Sequence, residues 1–316
     1  MRSILFFIPF VLFADGGVIP PEEHIESYAQ VAFIKYEEGR EELYIVNKHA
    51  EYRGTLAWVV PFSSKPTVDT FNLQLFDELY ELSKPLRESY GYGCGPFLKD
   101  YNSESLKEDI GKTDIKIIET GELPGLEYII IYAEREDTLK SWLLKNGFNV
   151  GNEVSSIFRF YIEKEWKFFF VAKRKSDYSN VLGVKFRFET DTPLYPMKLT
   201  SINFDTGDYE LYLYIAAKHK MLVEDAELKY ANNIDEREME EIKKNYPYLA
   251  DNLEHPLFIT KIYKKYNSKQ EMEDIQLLLA PDDSEYREIE DYGSIDIFFL
   301  LGVAFIAGVY VKKRTE

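Results

Sequence analysis

The residue best suited to covalent chemistry is Cys94, the single cysteine of the 316-residue chain. It lies in the stretch SYGYGCGPF, where glycine neighbours would let another group approach its sulfur closely. A nucleophilic cysteine also needs a nearby base that lowers its thiol pKa, and no histidine or lysine is adjacent to Cys94. We therefore expect a structural role, with an intermolecular disulfide, or a reactive or ligand role, as the alternatives.

The histidines do not form a recognisable metal-binding motif. They are His24, His49, His219 and His255. None has the H-x-H or H-E-x-x-H spacing of zinc ligands, so a zinc site would have to be assembled from distant positions. The sequence therefore predicts no metal site, no cofactor and no catalytic residue.

Two groups of oxygen-bearing side chains have the chemistry to bind a hard cation. They are Asn203, Asp205 and Asp208 near the middle of the second half, and Asp282, Asp283 and Glu285 near the C-terminus. The first group lacks the spacing of a calcium-binding loop, so a hairpin turn is the favoured interpretation. The second group is interpreted as part of a solvated linker.

Local signatures of common enzymes are also missing from the sequence. There is no G-x-S-x-G elbow and no G-x-x-x-x-G-K-[ST] loop, and the Gly91-Tyr92-Gly93 stretch precedes no helix start. We therefore lean against an enzyme. An exported, hydrolase-like enzyme whose site is assembled from distant segments is the alternative.

The C-terminus has the pattern of a membrane anchor. Residues 297–311 carry no charge, and with Ile295 and Asp296 they reach the lower length limit of a spanning helix. Tyr292 and Tyr310 flank the segment, and the basic stretch 312–314 follows it. We predict a transmembrane helix over 295–311 and a cytoplasmic tail over 312–316, with a buried core helix as the alternative.

The N-terminus has the pattern of an export signal. Arg2 precedes an apolar run over 4–14, which is too short to span a bilayer and suits a signal peptide. Positive charges at both ends then lie inside, so the region between them is exported. The prediction is a single-pass type I protein of the cell membrane, with its main domain extracytoplasmic and the lipid bilayer as the partner of its C-terminal helix.

The exported region is strongly acidic. The whole chain has 55 acidic and 38 basic residues and a net charge of −17, and residues 15–294 alone carry 53 and 34, a net charge of −19. Such a surface repels phosphate backbones, so the composition argues against nucleic-acid binding.

Strand-like runs dominate the interior, with a few short helices. The predicted strands are 29–36, 43–47, 55–60, 115–119, 128–133, 166–172, 184–189, 197–204, 209–216 and 257–266. The predicted helices are 73–83, a helix that starts at Asp137 or Thr138 and stops at Gly147, 153–163 and 235–245. The first three strands are expected to form an antiparallel meander, with Trp58 packed against helix 73–83, and ligand stacking by Trp58 is the alternative.

The fold class that follows is α+β with mostly antiparallel sheet. We predict a signal peptide over 1–14, one exported domain over 15–280 with a subdomain boundary near 150–180, and an acidic stalk over 281–294. The turn 205–208 is expected to join two strands of a hairpin.

Several segments resemble one family. After a Gly-rich start come AQVAFIKY, the strand end WVVP and the helix LFDEL, then DTLKSWLLKNGFNV, EKEWKFFFVAKR and FRFETDTPLYPMKLTSI. In this order, over about residues 16–215, they resemble an uncharacterised prokaryotic family, domain of unknown function 2330. The resemblance implies an exported and sometimes membrane-tethered domain, and it implies no activity. In that family the loop around Cys94 is often richer in Gly and Cys, so the lone cysteine leaves a disulfide or metal role there unsupported.

The sequence therefore favours a membrane-anchored module that binds a component of the cell envelope, with an envelope protein as the expected partner.

Overall fold

A computed structural model of the chain describes residues 17–19, 29–47, 57–87, 115–174, 182–204 and 206–290. The strands are β1 (Gly17–Ile19), β2 (Ala29–Glu37), β3 (Arg40–Asn47), β4 (Ala57–Phe62), β5 (Thr67–Phe71), β6 (Leu86–Arg87), β7 (Lys116–Leu123), β8 (Leu126–Tyr132), β9 (Phe168–Arg174), β10 (Leu182–Glu189), β11 (Leu194–Tyr195), β12 (Thr206–Ala217), β13 (Met221–Leu222), β14 (Glu227–Asn233), β15 (Phe258–Ser268), β16 (Ile275–Gln276), β17 (Leu278–Leu279), β18 (Tyr286–Arg287) and β19 (Ile289–Glu290). The helices are α1 (Gln74–Ser83), α2 (Glu136–Lys145), α3 (Asn152–Glu163), α4 (Glu236–Asn245) and α5 (Pro247–Leu253), with 3-10 turns at Lys198–Asn203 and Lys269–Glu271.

Most strands form two large sheets. One sheet has five strands in the order β1-β4-β9-β8-β7, and the other has eight in the order β18-β14-β15-β12-β2-β3-β10-β5. All neighbours in the two sheets are antiparallel except β2 and β12, which run parallel. The predicted class, α+β with mostly antiparallel sheet and few helices, is therefore confirmed.

The two sheets face each other and are covered on their outer faces by helices. Alternate side chains of β2 point into two different cores. Ala32 and Ile34 lie in the core between the sheets, whereas Val31 and Phe33 lie in the core beneath α1, α4 and α5. The helices α2 and α3 cover the five-stranded sheet in a third core. Because both faces of the central strands are buried, these strands are apolar on both sides.

Trp58 occupies the layer between the sheets. Its side chain is 1% exposed and meets Phe170 and Phe186 edge-on, with ring centroids 5.4 and 6.1 Å away. Packing of Trp58 against helix 73–83 is therefore wrong, because α1 lies on the outer face of the other sheet. The predicted meander is also wrong: β2 pairs with β3, whereas β4 pairs with β9 in the five-stranded sheet.

The segment 197–204 is not a strand. Residues Lys198–Asn203 form a 3-10 turn, which the Ser201 hydroxyl stabilises by donating to the Lys198 carbonyl at 2.7 Å. The apolar residues of this segment alternate as in a strand because they enter two different cores. Leu199 packs beneath α2 and α3, whereas Phe204 enters the core between the sheets. The expected hairpin at 205–208 is therefore absent from the described part of the chain, and Asp205 itself lies outside it.

Residues 281–290, which we name the strap, are bound to the domain. The buried Lys220 amine donates to Asp282 at 3.0 Å and to the carbonyl and hydroxyl of Ser284 at 2.9 and 2.8 Å. Next, β18 pairs with β14, and β19 pairs with β6. Up to Glu290 the predicted stalk is therefore part of the domain surface, because Asp282 and Asp283 accept hydrogen bonds from Lys220 and two short strands of the strap pair with strands of the domain.

The predicted membrane segments lie outside the described residues. They are the signal peptide 1–14, the transmembrane helix 295–311 and the cytoplasmic tail 312–316. Among the residues that are described, no helix has the length and apolar character needed to cross a bilayer.

Candidate functional site

A concave feature lies at the end of the sandwich where β2 turns into β3. This cleft has a volume of about 660 Å³ and is open to solvent. Its lining residues are Glu38, Gly39, Arg40, Ser63, Trp166, Glu189, Thr190, Asp191, Thr192 and Leu194. They come from four connections between elements, so the cleft exists only when both sheets are assembled.

The β2–β3 hairpin builds one wall of the cleft. Its two turn residues, Glu38 and Gly39, both have positive φ angles, 50° and 78°. This is the backbone of the two-residue turn that matches the twist of paired strands, and glycine adopts it freely. The Gly39 carbonyl accepts a hydrogen bond from Thr190 N at 2.9 Å, which ties the turn to the opposite wall.

Side chains beneath the cleft fix the segment 189–194. The Ser64 hydroxyl donates to the Glu189 carbonyl at 2.8 Å, and the Tyr36 hydroxyl donates to the Asp191 carbonyl at 3.0 Å. The fully buried Glu41 accepts from Leu194 N at 3.0 Å. Burial, followed by the nearby charges of Asp191 and Glu41, raises the pKa of Tyr36, so this hydroxyl stays protonated and keeps donating.

Trp166 supplies the aromatic part of the cleft. It follows α3 through Glu165, whose φ of 65° is the left-handed conformation that commonly ends a helix. Trp166 N then donates to the Tyr161 carbonyl at 2.9 Å, which fixes the position of the indole. The indole is half-buried and packs beside the Tyr161 ring, with centroids 6.0 Å apart.

The charged side chains of the cleft are available to a ligand. They are Glu38, Arg40, Glu189 and Asp191. Within the described part of the chain, none of the four forms an ion pair or a side-chain hydrogen bond with another residue. With three carboxylates and one guanidinium, the cleft carries excess negative charge beside an aromatic surface.

A buried ionic cluster stabilises the strands that lead to the cleft. The Glu42 carboxylate receives Lys185, Arg187 and the Tyr44 hydroxyl, each at 2.7 Å. Burial alone would raise the pKa of Glu42, but the hydrogen bonds from these three side chains lower it to about 2. The cluster thus joins β3 to β10 just below the cleft.

The candidate residues from the sequence do not converge on this site. Cys94, His24 and His49 lie outside the described residues. His219 and His255 lie in separate places, where His219 Nδ1 is 2.8 Å from an Asp283 oxygen and His255 Nε2 is 2.9 Å from a Glu37 oxygen. No set of three His, Cys, Asp or Glu side chains in the described regions is arranged to hold a metal ion.

The two oxygen clusters are used in other ways where they are described. Asp208 pairs with Lys265 at 2.8 Å, and Asn203 is buried. Asp282 and Asp283 accept from Lys220, and Glu285 is exposed. The sequence does not identify Trp166 and Asp191 as cleft residues, because they lie on connections between elements, where no periodic pattern marks them. The Glu-Glu-Gly turn between β2 and β3 is the one local sequence signal of the cleft.

Comparisons with solved structures give weak likenesses. A mutated baculovirus P35 after caspase cleavage aligns over 82% of this chain and 99% of its own, with 11% identity and a TM-score of 0.34. Baculovirus P35 aligns over 87% and 100%, with 9% identity and a TM-score of 0.35. Scores this low support no functional inference. No curated protein is significantly similar in sequence.

A family model matches most of the sequence. It covers residues 12–277, which include every strand of the two large sheets except β18. The match agrees with the resemblance seen in the segments between residues 16 and 215. The chain therefore belongs to the family described as an uncharacterized protein conserved in bacteria, DUF2330.

Proposed function

We propose that this chain is a binding module of the bacterial cell envelope, anchored in the membrane by residues 295–311, and that its cleft receives a basic segment of an envelope protein. The observation that carries this proposal is the cleft itself: three carboxylates without ion-pair partners among the described residues lie beside the indole of Trp166. Carboxylates attract lysine and arginine, and an indole face adds cation–π attraction.

The course of the strap supports an orientation in which the cleft faces away from the membrane and is open to a partner. The segment at Asp282 and Asp283 contacts the loop after β12, at the cleft end of the eight-stranded sheet. From there β18 runs antiparallel to β14, away from the cleft. A membrane helix after the strap would therefore leave the cleft facing away from the bilayer.

The topology is tested by protease treatment of intact cells. We expect the domain to be digested together with a known surface protein. Survival of the domain while that surface protein is removed would contradict the proposed orientation.

Ligand binding is tested by the fluorescence of Trp166. Of the three tryptophans, Trp58 and Trp142 are 1% and 4% exposed, so acrylamide quenching of the full-length protein reports mainly on Trp166. Addition of a lysine- and arginine-rich peptide should reduce this quenching, and the affinity should fall about fivefold or more as salt rises from roughly 0.05 to 0.5 M.

Variants show whether the cleft is responsible. The double change Glu189→Gln and Asp191→Asn should weaken peptide binding, whereas the distant exposed pair Glu240→Gln and Glu241→Gln should leave it unchanged. Equal loss in both double variants would show a general charge effect and would contradict the proposal. Protection by neutral oligosaccharides that is insensitive to salt, without protection by basic peptides, would identify a saccharide site instead.

A further inference from the structure

Two exposed aliphatic side chains lie side by side at the end of the strap. Leu86 and Ile289 are 51% and 61% exposed, whereas most leucine and isoleucine side chains are buried. They are direct partners in the parallel pair of β6 and β19, and partners on neighbouring strands project from the same face of a sheet. Leu86 and Ile289 therefore form one small apolar surface, which we name the apolar pair.

The other exposed aliphatic side chains of the described regions do not form such a surface. Leu278 and Leu279 follow each other in β17, so their side chains point to opposite faces of the strand. Leu144 lies on α2, which covers the five-stranded sheet. Within the described part of the chain, the apolar pair is therefore the place where two exposed aliphatic side chains point in one direction.

Hydrogen bonds fix the apolar pair to the body of the domain. Leu86 N donates to the Glu288 carbonyl at 2.9 Å, and Glu288 N donates to the Lys229 carbonyl on β14 at 3.2 Å. The Arg287 guanidinium donates to the Leu82 carbonyl in α1. Because the end of the strap is bound to both α1 and β14, the apolar pair moves only together with the domain.

The proposed membrane segment begins close to the apolar pair along the chain. Six residue steps separate Ile289 from Ile295, where that segment starts. A fully extended chain spans at most about 3.3–3.6 Å per residue, so the two positions are no more than about 20 Å apart. A domain anchored through residues 295–311 therefore keeps the apolar pair within about 20 Å of the bilayer, at the end of the strap that lies away from the cleft.

The size of the apolar pair suits a bilayer better than a protein partner. A stable protein interface uses about 20–30 residues a side, whereas the apolar pair has two. A tether holds a surface at high local concentration beside the membrane, so few contacts suffice there. Residues 15–294 carry a net charge of −19 and repel anionic headgroups, so the contact depends on apolar insertion rather than on charge.

We propose that the apolar pair lies in the interface of the bilayer that anchors the chain, so that Leu86 and Ile289 form a second, peripheral contact between the domain and the membrane. This inference rests on the anchor at 295–311 in the proposed function. With two contacts instead of one, the domain cannot rotate freely about its anchor. The cleft is then held in a constant orientation, on the side of the domain that faces away from the lipid.

The contact is tested with a tryptophan reporter in the full-length protein. Leu86→Trp is placed in phosphatidylcholine nanodiscs that hold one chain each, with either ordinary or acyl-brominated lipid, and the emission of the natural protein is subtracted. An apolar side chain at the interface lies about 5–10 Å into the headgroup and acyl boundary, so brominated lipid should lower the added emission by about half or more. Leu144→Trp, at a position 48% exposed, should lose less than about one tenth. Equal emission of Leu86→Trp in both lipids would overturn the proposal.

Changes at Ile289 show whether the apolar pair acts as a unit. In the Leu86→Trp protein, Ile289→Asp places a carboxylate beside the reporter and should reduce the quenching by about half or more, because a charge resists transfer into the apolar boundary. Ile289→Val keeps the apolar surface and should leave the quenching in place. Quenching that persists in full with Ile289→Asp would contradict a contact made by the pair, and circular dichroism checks that each variant is folded.

Two further outcomes separate this inference from the proposed function. Flotation of the natural protein with phosphatidylcholine vesicles measures the anchor. Flotation together with an unquenched Leu86→Trp would reject the contact and keep the anchor, whereas a protein that does not float would reject both. An unquenched reporter that emits like a buried indole would identify another occupant, such as residues 88–114 or a protein partner, and would also reject the contact.

Discussion

At the scale of single residues, the Glu42 carboxylate shows how this chain uses buried charge. Its side chain is 9% exposed and has three donors, so removing it leaves Lys185 and Arg187 without their acceptor. Nothing in the local sequence REELYIVN distinguishes Glu42 from its neighbours, since acidic residues are abundant throughout. Lys185 and Arg187 lie more than 140 positions away along the chain from Glu42, and no local pattern reveals such distant partners.

We predict that Glu42→Gln lowers the free energy of unfolding by about 3 kcal/mol, because it breaks a mostly buried ion pair. The folded pKa is about 2, against 4.5 ordinarily, so the carboxylate stabilises the fold fully above pH 4.5 and this contribution is lost as the pH falls towards 2. Urea unfolding measured from pH 2 to 7 should therefore show a smaller acid-induced loss in the variant than in the natural protein.

The matched control is Glu240→Gln, which removes an exposed ion pair with Lys243 on α4. It should change the unfolding free energy by less than about 0.5 kcal/mol. A similarly small effect of Glu42→Gln would show that the Glu42 cluster contributes little to stability.

At the scale of elements, the sequence predicts a helix or strand correctly where the segment contains its own capping residues or apolar periodicity. Helix α4 was predictable because Asp235 and Glu238 form a capping box, which the structure shows. Strand β5 was not, because its residues TVDTF are mostly polar or half-exposed and it pairs at the sheet edge with the distant β10. The prediction of a strand at 197–204 is wrong for a different reason. Apolar side chains of this segment pack into two cores on opposite sides of it, and this produces a strand-like alternation in the sequence.

The strap is the element whose attachment is easiest to test. Because the buried Lys220 amine donates to Asp282 and Ser284, Lys220→Met should release residues 281–290 from the domain. Loss of hydrogen bonds to a charged group should increase amide hydrogen exchange in β18 by about tenfold or more. Mass spectrometry of peptides from the strap measures this directly.

Exchange in the central strands β2 and β12 should stay unchanged in the same variant, because they lie on the far side of β15 and β14. Lys243→Met, at an exposed lysine, serves as the control for loss of charge alone. If exchange in the strap does not increase in Lys220→Met, the strand pairs with β14 and β6 hold the strap without the lysine.

At the scale of the whole molecule, the arrangement depends on aromatic packing between the sheets. Trp58, Phe170 and Phe186 touch across the two sheets and join them. Composition and periodicity predicted the class and most strands, but they could not assign strands to sheets. The assignment of strands to sheets depends on which apolar faces pack together. In the structure, β2 and β4 belong to different sheets.

We predict that Trp58→Ala costs about 3–5 kcal/mol, since it leaves a large cavity in the core between the sheets. Urea unfolding followed by circular dichroism should show a lower midpoint with a single transition. Leu144→Ala, at a side chain 48% exposed, should stay within about 0.5 kcal/mol of the natural protein. A small change for Trp58→Ala would mean that the two sheets are stable without this contact.

The parallel pairing of β2 with β12 also determines when the protein can fold. Residue 29 at the start of one strand and residue 210 of the other are neighbours at the centre of the eight-stranded sheet, and β15 completes the pairing from Phe258 onwards. An N-terminal half that emerges first during synthesis contains β3, which pairs with one edge of β2, but lacks β12, which pairs with the other edge. The central strands are complete only after about residue 268 has been synthesised, so first an edge of β2 and then an edge of β12 stays without its native partner until then, and unpaired strand edges favour aggregation. The eight-stranded sheet is therefore completed only by strands from the second half of the chain, far later than the five-stranded one, whose last strand, β9, ends at Arg174.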